Sequence, residues 1–139
     1  MSNTIQLRGD YERYEDVVAT GQTLVPGQLV EVDANGLSAV SADAAVEKAF
    51  VVENALAGGD ITDTITEDNV AQYNIQKKGN RVYAWFVNAG TATIDRGTLV
   101  GPSTIPGVLD TASANPIASL DEEVEATAGT PLRVKIRIL

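Results

Sequence analysis

The sequence predicts a mainly β protein: a small β-barrel or β-sandwich of short antiparallel strands, with an extended N-terminal arm and at most two short helices. Three observations point there. The apolar residues are mostly Val, Ile, Leu and Ala, in short runs broken by Gly, Pro, Asn and Asp. The segment 132–138 alternates strictly, with Leu132, Val134, Ile136 and Ile138 on one face and Arg133, Lys135 and Arg137 on the other, the period of a strand with one buried and one wet side. Asn35-Gly36 lies between two apolar runs, a dipeptide suited to the positive φ angles of a tight hairpin turn.

Residues 1–16 stand apart. Arg8, Asp10, Glu12, Arg13, Glu15 and Asp16 surround Ile5, Leu7, Tyr11 and Tyr14, with dense charge and poor alternation. This reads as an arm, with one β domain following over residues 17–139. Its apolar side chains are too sticky for a spacer, so Ile5, Leu7, Tyr11 and Tyr14 are the candidate contacts with a partner.

Within the domain, 28–32 and 37–40 read as a hairpin around Asn35-Gly36. Further strands are expected at 49–53, 70–76 and 81–87, the last two joined by Lys78-Gly79-Asn80. Residues 41–48 could form two helical turns capped by Ser41 or Asp43, and 121–126 one turn. On 81–87, Tyr83 and Trp85 share one face while Val82, Ala84 and Phe86 share the other, as in a central strand covered on both sides. A faint repeat relates two halves, about 20–79 and 89–139. Gly27-Gln28-Leu29-Val30 matches Gly97-Thr98-Leu99-Val100, Asn35-Gly36-Leu37 matches Pro106-Gly107-Val108, Ala49–Glu53 matches 117–121, and 70–75 matches 132–138.

Composition narrows function. The chain has 139 residues, no Cys and no His, so disulfides, thiolate metal sites and histidine-based acid–base chemistry are out. A net charge of −9 disfavours nucleic acid and anionic lipid. The sequence shows neither the apolar run of a signal peptide nor the ~20 apolar residues of a membrane span.

The remaining candidates for chemistry read more simply as surface. The acidic loop 58–69 holds Asp60, Asp63, Glu67 and Asp68, but lacks the mid-loop Gly and terminal Glu of the helix–loop–helix calcium site. Asp121, Glu122, Glu123 and Glu125 crowd one turn, whereas paired catalytic carboxylates face each other across a cleft. Glu47-Lys48-Ala49 is similar to the modified lysine tip of lipoyl carrier domains, yet Lys48 falls inside the first half rather than on a hairpin joining the halves. No metal, cofactor or catalytic residue is expected.

The order of segments resembles the head decoration (cement) proteins of tailed bacteriophages. The likeness rests on the acidic, Gly-containing stretch 52–65, on 70–76, and on Gly79-Asn80-Arg81-Val82-Tyr83-Ala84-Trp85. It continues through Gly97-Thr98-Leu99-Val100 and the basic-apolar ending 133–138, and spans most of residues 17–139. The resemblance implies a protein made in the host cytoplasm. It would attach, as a homotrimer, to the outside of an expanded icosahedral shell of the virion and stabilise it by bridging major capsid subunits, without catalysis, nucleic acid or membrane. A phage tail or fibre component is the nearest rival, and a lipoyl-like carrier domain a more distant one.

Overall fold

The computed structural model describes residues 4–54 and 59–139; part of the loop 58–69 and of the stretch 52–65 therefore lies outside the described residues. Among the described residues fifteen strands follow one another: β1 (Gln6–Arg8), β2 (Tyr11–Val17), β3 (Thr23–Leu24), β4 (Val30–Asp33), β5 (Gly36–Ala39), β6 (Ala49–Val51), β7 (Ile65–Thr66), β8 (Val70–Gln76), β9 (Arg81–Phe86), β10 (Ala92–Ile94), β11 (Leu99–Pro102), β12 (Leu109–Asp110), β13 (Ala118–Leu120), β14 (Val124–Ala126) and β15 (Leu132–Ile138). No helix occurs among the described residues. Residues 41–48 are irregular, and 124–126 form a strand rather than a helical turn. Val124 and Ala126 alternate inward with Glu125 outward, and β14 pairs with β10.

The second half closes into a five-stranded mixed barrel, β9-β12-β11-β13-β15, sealed by a six-residue antiparallel ladder between β15 and β9. The β12–β9 junction is parallel, Leu109 opposite Phe86. The first half repeats this ladder. β2 pairs with β8, β8 with β6, and β4 with β5, all antiparallel. Two single bridges complete the ring, Leu29–Phe50 antiparallel and Val18–Leu37 parallel. Each half adds a two-stranded flap, β3–β7 or β10–β14.

The correspondence reaches individual hydrogen bonds. Ala19 N–H donates to Leu37 O (3.0 Å) as Val87 N–H does to Leu109 O (2.9 Å), and Val51 N–H to Gln28 O (3.0 Å) as Leu120 N–H to Thr98 O (2.9 Å). Val52 N–H donates to Gln72 O (3.0 Å) as Asp121 N–H does to Lys135 O (2.8 Å). The interiors correspond too: Val18, Val30, Leu37, Ala49, Val51, Ala71 and Tyr73 fill the first barrel where Phe86, Val100, Leu109, Ala118, Leu120, Val134 and Ile136 fill the second.

Consecutive strands β8 and β9 belong to different barrels, divided at the Gly79 turn (φ 87°). The barrels share a wall. Along β6, Ala49 and Val51 enter the first core while Phe50, and Val52 just past the strand, join the second, which is why all of β6 is buried although it alternates. The expected hairpin is β4–β5, but its central residues are Ala34 and Asn35, because Asp33 pairs with Gly36. Only Gly36 takes positive φ there (121°), and a Cβ on it would lie 2.4 Å from Val17 O. Glycine at 36 thus lets β2 approach β5.

Candidate partner-binding surface

The four residues expected to meet a partner separate. Ile5 is wholly buried in the second core. Its carbonyl accepts from Tyr83 N–H (2.8 Å), and β1 continues along β9 with Gln6 opposite Val82. Ile5 is therefore a packing residue and unavailable to a partner, because β9 needs a neighbour on that edge. Leu7 is half-buried on β1. Residues 6–8 and 11–17, read in the sequence as an arm, lie hydrogen-bonded along the two barrels.

Tyr11 and Tyr14 remain exposed, at 40% and 43%, on opposite faces of β2. Tyr14 stacks on its cross-strand partner Tyr73 (5.9 Å between centroids) and donates to Glu12 Oε2 (2.8 Å). That bond and the Glu12 charge raise the Tyr14 pKa above its ordinary value. Val17 and Val70, directly opposed across β2 and β8, are also exposed. Among the described residues, the other edge of β2 has no strand partner over residues 11–16; β5 reaches it only at the Val18–Leu37 bridge. The equivalent edge of β9 is occupied: Tyr83 and Trp85 donate in turn to the carbonyls of Ile5 and Gly27.

A buried amide seam anchors the β1–β2 corner. Gln6 Oε1 accepts from Asn74 Nδ2 (3.1 Å) and Gln76 Nε2 (2.6 Å), and Asn80 Nδ2 donates to Gln76 Oε1 (2.9 Å) and Asp10 O (2.6 Å). No buried polar side-chain atom among the described residues lacks a partner, so the seam avoids the penalty of an unsatisfied group. Gly9 (φ 105°) passes so close that a Cβ would sit 2.0 Å from Asn80 Oδ1.

The aromatic cluster packs as a central strand does. Val82, Ala84 and Phe86 face the core, while Trp85 is half-buried beneath Arg133, whose guanidinium lies 4.6 Å from the ring. Trp85 Nε1 and Arg133 Nε both donate to Pro26 O (3.1 and 3.2 Å), and Arg133 also donates to Ile61 O. Burial lowers the Arg133 pKa. Arg133 is thus a tie between the halves, whereas the alternation of β15 alone suggests a solvated side chain.

The acidic groups are mostly held by local bonds. Asp60 accepts from Thr62 Oγ1 (2.6 Å) and Thr62 N–H (2.8 Å), which lowers its pKa. Asp121 pairs with Arg81 and Arg96, both at 3.1 Å, a bridge not expected of a solvated turn. Lys48 stands at the foot of β6 and donates to Leu139 O (2.6 Å). No group of three or more acidic residues among those described is arranged to hold a metal ion.

Among the described residues, clefts of about 370 Å³ open at two places on the surface. One lies beside the acidic loop, from Asn54 to Val70; the other is lined by Arg8, Gly9, Lys78, Gly79, Asn80, Arg81 and Arg137. Nothing in the sequence points to the second cleft, because strand register brings Arg8, Arg81 and Arg137 together. The chain matches no protein-family model and no curated protein.

Proposed function

We propose that this chain is a capsid decoration protein of a tailed bacteriophage. It would sit as a homotrimer on the outside of an icosahedral shell and bridge neighbouring major capsid subunits, with no catalytic role. The observation that carries the reading is the open edge of β2, flanked by exposed Tyr11, Tyr14 and Val17. An unpaired edge with aromatic side chains can add a strand from a neighbour, the backbone giving affinity and the side chains specificity. Tyrosine suits such a contact because it buries its ring while its hydroxyl stays hydrogen-bonded. The same edge of β9 is closed within the chain, and among the described strands paired on one side only, β2 is the longest. The ordering of segments that resembles decoration proteins supports the same reading. Many copies on one shell would let a modest contact suffice.

The test uses expanded shells lacking the protein. The wild-type chain should bind at saturable stoichiometry and appear on the outer surface by cryo-electron microscopy. A Tyr11→Ala, Tyr14→Ala double variant with an unchanged melting temperature should bind at least tenfold more weakly. Deleting residues 1–14 would be a poor probe, since it removes Ile5 and β1 from the second barrel. Absence of wild-type binding, or density on the tail instead of the shell, would overturn the proposal.

A further inference from the structure

The most unusual charge arrangement in the molecule is a row of arginines. On β9, Arg81 lies directly opposite Arg137 of β15 on one side and Arg8 of β1 on the other. Lys78, in the turn entering β9, lines the same cleft. Like charges directly opposed across strands are destabilising, yet the row has little internal compensation. Arg81 pairs with Asp121. Among the described residues, the side chains of Arg8, Lys78 and Arg137 make no hydrogen bond or ion pair.

The duplicated fold supplies a control. The ladder places Arg13 opposite Asn74 in the first barrel where Arg81 stands opposite Arg137 in the second. In the first barrel the pair is satisfied, Arg13 Nε donating to Asn74 Oδ1 (2.9 Å). The same backbone position therefore accepts a neutral partner that relieves an arginine. In the second barrel it carries another arginine, beside a cleft of about 370 Å³.

We infer that this cleft is a binding site for the carboxylates of an acidic protein segment. Guanidinium groups present forked donors that match a carboxylate, and an incoming anion would remove the repulsion along the row. The rest of the molecule argues against a phosphate polymer. Residues 1–79 carry five Lys or Arg and thirteen Asp or Glu, a net charge of −8. The acidic strand β2 begins two residues beyond Gly9. With a screening length of roughly 8–10 Å, a short acidic segment meets mainly the cleft, whereas a long polyanion would extend into the acidic field beside it. This site is separate from the β2 edge and does not depend on the decoration reading.

The test uses the isolated full chain at low ionic strength, with a hexaglutamate peptide as probe and inorganic phosphate as competitor. Hexaglutamate should shift the backbone amide signals of Arg8, Gly9, Gly79, Asn80 and Arg137, and binding should fade with added salt. Arg137→Asn copies the first barrel's solution. It should raise the melting temperature of the free protein while weakening hexaglutamate about ten- to a hundredfold, the loss expected for one charged hydrogen-bonding contact. Lys78→Ala, outside the row, should weaken the peptide without that stabilisation. Unmoved cleft signals would overturn the inference, as would phosphate binding at least as tightly as the peptide. A destabilised Arg137→Asn would overturn the premise that the row repels itself.

Discussion

The two halves share a ladder and an interior plan but differ in what covers them. In the second barrel Trp85 and Arg133, opposite each other on β9 and β15, are roofed by Pro26 and Ile61 of the first half. The equivalent pair in the first barrel is Val17 and Val70, both exposed. Phe50 on β6 is buried against the second core, whereas its counterpart Ser119 on β13 is half-exposed. Charge divides the same way, −8 over residues 1–79 against −1 over residues 80–139, where five basic residues face six acidic. A duplicated barrel thus keeps its inward positions, which the core constrains, and varies its outward ones according to neighbour. The second barrel's outer wall is largely used inside the molecule. The first barrel's outer wall, with its free strand edge, is left for something else.

The largest expected effect tests the shared wall. Phe50→Ala empties a fully buried aromatic site between the barrels and should cost about 3–5 kcal/mol in urea unfolding. Ser119→Ala, the same ladder position without a facing barrel, should change stability by no more than about 0.5 kcal/mol. Equal effects would break the comparison. A single unfolding transition in both variants would show that the shared wall makes the halves one cooperative unit.

A middle-sized effect concerns the roofed pair. Arg133→Lys keeps the charge but loses the planar fork that stacks on Trp85 and bonds Pro26 and Ile61. With Arg133 partly exposed, a loss of about 1–2 kcal/mol is expected. Val70→Ala at the equivalent place should fall within about 0.5 kcal/mol. Chemical denaturation of the two variants side by side checks this.

Much of this fold is legible in the sequence wherever side-chain type alternates along a strand, even on β8, whose polar residues Gln72, Asn74 and Gln76 are themselves buried. Residues 70–76, 81–86 and 132–138 announce themselves by alternation, and the repeat is visible in its glycine-led segments. What stays hidden depends on register. β2 reads as an arm because neither of its faces is deeply buried, so it has no apolar period to show. Ile5 looks like a sticky side chain because nothing local reveals that β9 lacks a neighbour. The three arginines of the basic cleft lie far apart in the chain, and only the pairing of β1, β9 and β15 aligns them. Tyr11 and Tyr14 thus stand out in the sequence as aromatic residues amid charge, whereas the alignment of the basic cleft does not.

The smallest expected effect lies where corresponding connections of the two halves meet. The β5–β6 connection holds Asp43, and the β12–β13 connection holds Ser113, Ala114 and Asn115. Asp43 Oδ2 accepts from Ala114 N–H (2.8 Å), while Oδ1 accepts from Ser113 Oγ (2.9 Å) and Asn115 Nδ2 (3.0 Å). These bonds favour the ionised carboxylate, the backbone bond to Ala114 most, and lower the Asp43 pKa below its ordinary value of 3.8. A folded-state pKa below the unfolded one means that unfolding takes up a proton. The stabilisation is therefore fully present above the unfolded pKa and is lost as pH falls through the folded one. Asp43→Asn keeps the shape but loses the charge, and its amide nitrogen cannot accept a bond. The variant should melt below wild type at pH 7, and the gap should narrow as pH drops from about 5 toward 2. Asp110, whose pKa burial pushes up, has the opposite sign: its contribution weakens as pH rises through the carboxylate range. Melting curves of both Asp→Asn variants across that range separate the two. A gap for Asp43→Asn that stays constant with pH would mean that the strap between the halves works by shape rather than by charge.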